Sequence, residues 1–459
     1  MKNPLLAPEL RESLQAGNEQ ELRAFCESAH PAVVAELISA LTPREAWDVV
    51  RHAPLHLRAA IFSHLDEDIQ EDMIEFLGRN DIARIVSDMP HDDRADLFKR
   101  LSEEKREAIL PALAQAERED IRRLAAYEEG TAGAVMTSDY VTLKPDLTAA
   151  EAIERLRKDA PNRETIYSSY VVDEKRRLLG YVSLKDLILA RPNARVGDIM
   201  YSEVIQVRVS EDQEKAARMI QKYDLLALPV INGGDALVGI ITHDDALDII
   251  TQEHTEDMEK LMAITGSHEA GVYLKTPALV HFYNRAFWVV GLAAVGLVSG
   301  LIIQSFQDTL MQLMILAFYM PMVTSTGGNT GSQSAAVVIR ALALGEVVPK
   351  DALRILFKEF QVALMLSLVL GVMSWGKVMF LSQGTPVPEG FTLGWIGLAI
   401  ALALGLQVVT ATLVGALLPL FAARMKWDPA VVASPALATV VDVTGLLLYF
   451  WTAKALLGI

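Results

Sequence analysis

Toward its C-terminal end the chain carries five long apolar runs, Phe287 to Gln304, Leu310 to Val338, Phe360 to Leu381, Leu393 to Ala422 and Val431 to Leu457. Each is long enough, as a helix, to cross a hydrocarbon core about 30 Å thick. The preceding sequence has a different rhythm. From about Leu37 to Tyr127 apolar residues recur at helical spacing, as in Ile69, Met73, Ile74 and Leu77, then Ile82, Ile85 and Val86. Breaks at Thr42-Pro43, Ala53-Pro54, Gly78-Arg79-Asn80 and Met89-Pro90 cut this pattern into short amphipathic helices. The pattern predicts an α-helical superhelical domain over residues 1–128.

From Gly133 the pattern becomes a tandem repeat. Ala134-Val135-Met136, Val141-Thr142-Leu143 and an Ala-rich helix return 64 residues later as Asp198-Ile199-Met200, Ile205-Gln206-Val207 and a helix from Gln213 to Lys222. Both units end alike, in Gly180-Tyr181-Val182-Ser183-Leu184-Lys185-Asp186 and Gly239-Ile240-Ile241-Thr242-His243-Asp244-Asp245. This repeat, over residues 129–250, resembles a pair of α+β CBS domains. The resemblance implies an adenine nucleotide near Lys185 and Asp186, although both side chains also suit a solvated surface, and an aromatic position that some relatives use reads here as Ser168. A polar helix, Asp244 to Met262, follows and runs into a connecting segment at 251–275. It leads to a five-helix transmembrane domain at 276–459, which makes the chain multidomain.

Charge sharpens the division. From Ala286 onward eight Lys and Arg face seven Asp and Glu, whereas the residues before it hold 34 against 51. The negative excess therefore sits wholly in the region before the spans. Such a region lacks the basic footprint that nucleic acid requires, and it suits either bulk solvation or inorganic cations. One cysteine, Cys26, excludes internal disulfides and thiolate metal clusters. Met1 to Gln20 is polar and mixed in charge, so no cleavable leader is expected.

The loops between spans alternate in charge. The first and third, Ser305 to Thr309 and Ser382 to Thr392, lack Lys and Arg, while the second and fourth hold Arg340, Lys350, Arg354, Lys358, Arg424 and Lys426. The positive-inside rule then places the N-terminal part in the cytoplasm and the C-terminus outside. An odd number of spans excludes an even inverted repeat within one chain, so a symmetric pore requires a second copy.

Polar residues inside the spans are the candidate chemistry. Asp442 lies near the middle of the last run, where a carboxylate costs roughly 2.5 to 3.5 kcal/mol on insertion scales and normally faces water or a cation. Hydrogen bonding to a neighbouring helix is the alternative. Pro321 and Thr326-Gly327-Gly328-Asn329-Thr330-Gly331-Ser332-Gln333 predict a break in the second span, with Asn329 and Gln333 on one face beside a pore. Close packing through small residues explains the glycines equally well, but not that pair of amides. Glu359 suits either a pore mouth or an interfacial ion pair. In the connecting helix Asp245 and Asp248, and Glu253 with Glu256 and Asp257, share faces at spacings of three and four, where like charges repel unless a cation bridges them. With Asp212, Glu214 and Asp224 they form a candidate all-oxygen divalent site.

The order of these parts, the motif from Pro321 to Gln333, and Ser434-Pro435 ahead of Asp442-Val443-Thr444-Gly445 together resemble the MgtE family of magnesium channels, which often has Asn where this chain has Ser332. The resemblance implies a homodimeric Mg2+ channel of the bacterial inner (plasma) membrane, with Asp442 of each copy facing a pore on the two-fold axis. The amide oxygens of Asn329 and Gln333, on one face beside such a pore, are the further candidate contacts to the ion. The resemblance also implies sensor acids at Asp93, Asp212, Glu214, Asp224, Asp245, Asp248, Glu253, Glu256 and Asp257, shutting the pore when cytosolic Mg2+ is high, with ATP as a candidate modulator. The main alternative is a proton-coupled secondary transporter of another divalent cation or solute. A membrane hydrolase is disfavoured, since the spans hold no His-Glu-x-x-His or Gly-x-Ser-x-Gly arrangement. A sensor without transport is a further alternative.

Overall fold

The computed structural model describes residues 7–160, 164–262, 264 and 276–459, with the backbone alone for 431–436. By contact density the chain divides into two compact units, Met1–Glu253 and His254–Ile459.

The first unit opens with short helices, running from Ala7–Ala16 to Gln115–Leu124. Local chemistry sets their ends. Thr42 accepts from Glu45 N while the Glu45 carboxylate accepts from Thr42 N, and Pro43 occupies the first helical turn. The apolar stripe Ile69, Met73, Ile74, Leu77, Ile82, Ile85 and Val86 is buried in one continuous core, as its spacing predicts. Gln70, also buried, donates to the carbonyls of Phe62 and Leu65 and so satisfies the end of the preceding helix.

The repeat forms two three-stranded sheets of the same design. In the first, β1 (Thr142–Leu143) pairs in parallel with β2 (Ser168–Val172), which pairs antiparallel with β3 (Leu178–Ser183). The second uses β4 (Val207–Arg208), β5 (Ala227–Ile231) and β6 (Leu237–Thr242) in the same order. Each has its irregularity at the equivalent place, after Val171 and after Val230. Gly180 and Gly239 explain why both units keep a glycine there. A Cβ on Gly180 would meet Met200 Sδ at 2.9 Å, and one on Gly239 would meet Thr137 O at 2.9 Å. The segment leading into each repeat therefore docks on the sheet of the other, and bridges Thr137–Ile240 and Tyr181–Tyr201 join them. From β6 the chain passes into the helix His243–Leu261, so the connecting helix starts within the second repeat and its last residues agree with the predicted Met262 end. The remainder of the connecting segment, residues 263 and 265–275, lies outside the described residues.

The second unit contains five long helices, Ala278–Ser305, Ile315–Ala343, Ala352–Leu381, Leu393–Arg424 and Pro429–Leu457. Among the described residues four helices are long and apolar enough to cross a membrane. The exception, Ile315–Ala343, has 29 residues but bears the polar motif. Leu393–Arg424 packs against the three helices Ile315–Ala343, Ala352–Leu381 and Pro429–Leu457. Its small residues Ala399, Ala403, Ala411, Gly415 and Ala416 are all buried.

One expectation is corrected here. The Pro321 to Gln333 stretch does not break its helix, which is continuous from Ile315 to Ala343. Proline removes a single donor, and hydroxyls along the same helix turn back onto its carbonyls. Thr326 Oγ1 donates to Met322 O at 2.7 Å, and Thr330 Oγ1 to Thr326 O at 3.1 Å and Gly327 O at 3.2 Å. The glycines serve packing instead. A Cβ on Gly331 would stand 3.1 Å from Ala411 O, and one on Gly415 would collide with the Gly331 backbone.

That crossing gives the first prediction. Gly415→Ala should cost about 1–3 kcal/mol through overpacking, read as a lower melting temperature of the purified protein in detergent. An unchanged melting temperature would show that the two helices are not held this close.

Candidate functional site

The helix Pro429–Leu457 buries Leu437, Val441, Leu446, Tyr449 and Phe450 against its neighbours. With those positions turned inward, Asp442 is turned out to the surface of the single chain, near the helix midpoint. On Ile315–Ala343 the inward positions are Val323, Gly327, Thr330, Gly331 and Ser334, which leaves Ser325, Asn329, Ser332 and Gln333 exposed. Asn329 and Gln333 therefore do share a face, as their spacing predicts. Among the described residues no protein hydrogen-bond partner reaches Asp442, Asn329 or Gln333. Ser434 and Pro435 lie among the residues whose side chains are not described. Glu359 accepts from Ser334 Oγ at 2.8 Å on the polar-motif helix, and among the described residues it forms no ion pair. One polar residue of the spans escaped the reading of the sequence. Gln407 is fully buried in Leu393–Arg424 and donates from Nε2 to Val441 O at 2.9 Å. Its signal was plain enough, a lone amide in an otherwise apolar run.

In the first unit, the helix His91–Arg100 and the helix that follows β6 bring carboxylates together. Asp93, Asp245 and Asp248 are among the sensor acids the resemblance implies, and Asp92, Asp244 and Glu164 stand with them. Burial raises Asp93 to about 6, with Asp245 and Asp96 adding to it against the nearby Ser63 hydroxyl and Arg100. Burial, with Asp244, Asp245, Asp139 and Asp93 nearby, raises Glu164 to about 7. Asp92 is pushed well up by burial first, then by Asp245, Asp93 and Glu164. Asp92 Oδ1 is buried and meets no hydrogen-bond partner among the described residues. Asp245 and Asp248 are raised by the same burial, although Thr242 N and Oγ1 both donate to Asp245 Oδ2, at 3.1 and 2.5 Å. Among the described residues no three acidic, His or Cys side chains close to metal-holding distance. The acids form an open, strained cluster, whose charged form a divalent ion would favour.

The other expected acids do not join this cluster as one site. Asp212 caps the helix Gln213–Tyr223, accepting from Glu214 N at 2.7 Å, and Asp224 closes its far end in the left-handed conformation. The eleven-residue helix between them sets these two about 18 Å apart along the axis, so a single ion cannot bridge them within one chain. Glu214 pairs with Arg218. Glu253 accepts from Gln213 Nε2 at 2.7 Å. Glu256 and Asp257 belong to the second unit, where Glu256 pairs with Lys260 at 2.8 Å. Lys260 also reaches Asp428 at 3.0 Å, and Asp428 caps the helix that carries Asp442, accepting from Ala430 N at 2.9 Å.

The repeat endings show one motif put to two uses. Ser183 Oγ and Asp186 Oδ2 cap a helix start in the first copy, as Thr242 and Asp245 do in the second. Only the second stands among other acids. Asp186 is thus engaged by Ser183, while Lys185 is exposed.

A pH prediction follows from the raised acids. Folded Asp93 and Glu164 hold protons to about 6 and about 7, above their ordinary values of 3.8 and 4.5. The folded state then binds more protons than the unfolded chain between about pH 4 and pH 7, so metal-free stability falls as pH rises through that window. Thermal unfolding of the full protein should show a transition of the first unit that drops toward pH 7.5 and recovers with added Mg2+. A transition that rises over the same range would contradict the cluster.

Comparison with known proteins agrees with this layout. A family model described as the MgtE divalent cation transporter matches residues 320–452, the MgtE intracellular N domain matches 29–130, and the CBS domain matches 132–193 and 196–252. The magnesium transporter MgtE of Thermus thermophilus is 38% identical over 455 residues, 98% of each chain. That of Bacillus subtilis is 34% identical over 431 residues, 91% of this chain and 93% of its own. Two solved structures are similar to about half of this chain. The soluble part of a magnesium transporter covers 54% of this chain and 97% of its own, at 31% identity and a TM-score of 0.51. The cytosolic domain of the Mg2+ channel MgtE in complex with ATP covers 52% and 98%, at 37% identity and a TM-score of 0.50. With a relative of this identity aligned over nearly its whole length, the chain belongs to the MgtE family of magnesium transporters.

Proposed function

We propose that the protein is a homodimeric Mg2+ channel of the bacterial inner membrane, in which two Asp442 side chains meet across the pore. The exposed Asp442 carries this reading. A carboxylate at mid-span facing lipid is unfavourable by several kcal/mol, and the polar stripe Ser325, Asn329 and Gln333 is as poorly suited to hydrocarbon. A second copy, with water between, covers both. Mg2+ demands near-octahedral oxygen and loses its waters reluctantly, so a carboxylate pair holds it through its hydration shell, with Asn329, Gln333 and main-chain oxygens as further acceptors. Two like charges on one axis repel when empty and favour a dication, which selects for charge as well as size. The N-terminus lies in the cytoplasm, where the acidic unit meets the cell's Mg2+ pool.

Gating follows from the cytoplasmic acids. Bound Mg2+ relieves the repulsion among Asp92, Asp93, Glu164, Asp245 and Asp248 and favours the shut state, while its loss releases them; this requires tighter binding to the closed form. Lys260 is a reasonable link to the pore, since it grips the cap of the Asp442 helix. Asp212, Glu214, Asp224, Glu253, Glu256 and Asp257 serve as further ligands where another surface completes their coordination. ATP, bound by a relative's cytosolic domain, modulates this threshold from the CBS pair, with Lys185 and Asp186 as its nearest candidate contacts.

Purified full-length protein in liposomes tests both parts. Asp442→Ala should reduce Mg2+ flux to background; parent-like flux would refute the pore assignment. Asp93→Ala with Asp245→Ala and Asp248→Ala should conduct normally but need about 5- to 150-fold more cytoplasmic-side Mg2+ to shut, the range of ordinary coupling energies. Unchanged inhibition would remove these acids from the sensor.

A further inference from the structure

The amide of Gln407 is fully buried inside the helix Leu393–Arg424, and its one described bond is aimed at a particular place. Nε2 donates at 2.9 Å to the main-chain oxygen of Val441, the carbonyl of the peptide that leads into Asp442. Two further helices open the space for it. A Cβ on Gly327 would run into Nε2, and one on Gly445 would stand 2.5 Å from Nε2 and 2.8 Å from Cδ. Three helices thus close on one amide at the level of Asp442.

Packing alone does not call for a glutamine. Among the described residues no donor reaches its Oε1, so half of the amide is buried at a cost. Methionine, of similar length, would fill the same space without that cost. Nor is the Val441 carbonyl short of partners, since Thr444 Oγ1 also donates to it at 3.2 Å. A costly group retained where it is not needed for satisfaction suggests a role in setting geometry.

We infer that Gln407 is a positioning residue for the pore carboxylate. Its bond holds the Val441–Asp442 peptide against the central helix and fixes how the Pro429–Leu457 helix is rotated about its own axis. A rotation of roughly 20° moves a group about 5–6 Å from a helix axis by about 2 Å. A shift of that size matters to an ion with strict octahedral demands. Gly327 and Gly445 belong to the same device, because each leaves the volume that the amide occupies.

The inference rests on Asp442 as the group that holds Mg2+, and the experiment separates the two. Mg2+ flux into liposomes is measured against Mg2+ concentration for the parent, Gln407→Met, Gln407→Ala, Gly327→Ala, Gln407→Ala with Gly327→Ala, and Asp442→Asn, with melting temperatures in detergent. Gln407→Met should melt no lower than the parent, yet raise the half-saturating Mg2+ concentration about three- to tenfold, the range of one lost hydrogen bond, with a smaller change in maximal flux. Gly327→Ala should do the same in the parent and add little once Gln407 is alanine, since the volume is then free. A lower melting temperature with half-saturation unmoved would make Gln407 structural and overturn the inference, as would fully additive effects. If Asp442→Asn abolishes flux while Gln407→Met leaves half-saturation unchanged, only the role of Gln407 falls. If Asp442→Asn retains parental half-saturation, the pore reading itself falls and this inference with it.

Discussion

An ionised carboxylate cannot rest against hydrocarbon, and the arrangement of the membrane unit follows from where Asp442 is allowed to point. Apolar residues on either side of it, Leu437, Val441 and Leu446, are buried against neighbouring helices. Their burial leaves the carboxylate facing outward from the single chain. The neighbouring helix presents Asn329 and Gln333 outward in the same way, and closes inward through Gly327 and Gly331. Small residues inside and polar residues outside is the reverse of a span meant for lipid.

The same electrostatic logic governs the first unit in milder form. Asp92, Asp93 and Asp245 are partly buried, Glu164 and Asp248 stand at the exposed edge of the same group, and each has its pKa raised. Such a cluster is held together by the fold around it rather than by its own interactions. A divalent ion would make it favourable. In the second unit Lys260 touches the cap of the Asp442 helix, so a change at the end of the connecting helix has a short path to that helix.

Much of the architecture was legible because it depends on periodicity. Spans, helical solenoid and paired α+β units follow from apolar spacing and from the repeated Gly180 and Gly239 endings. What failed depended on tertiary context. Pro321 and the glycines read as a break, but threonine hydroxyls and neighbouring helices keep the helix whole, and the glycines turn out to admit Gln407 and Gly415. Asp212, Glu214 and Asp224 are close in sequence to one another, yet helix length puts Asp212 and Asp224 at opposite ends. Glu164 was missed as a partner of Asp245, because the chain brings them together only after folding. Gln407 was visible as a lone amide, but its target, the peptide before Asp442, was not.

The central claim is that position 442 faces water shared by two copies. The most direct measurement is the reactivity of Asp442→Cys, in a background where the lone buried Cys26 is replaced by alanine, with thiol reagents added to the protein in liposomes. The account predicts rapid labelling by a charged, water-soluble methanethiosulfonate reagent and slow labelling by an apolar maleimide dissolved in the bilayer. Labelling by the apolar reagent alone would place the residue against lipid and contradict the account.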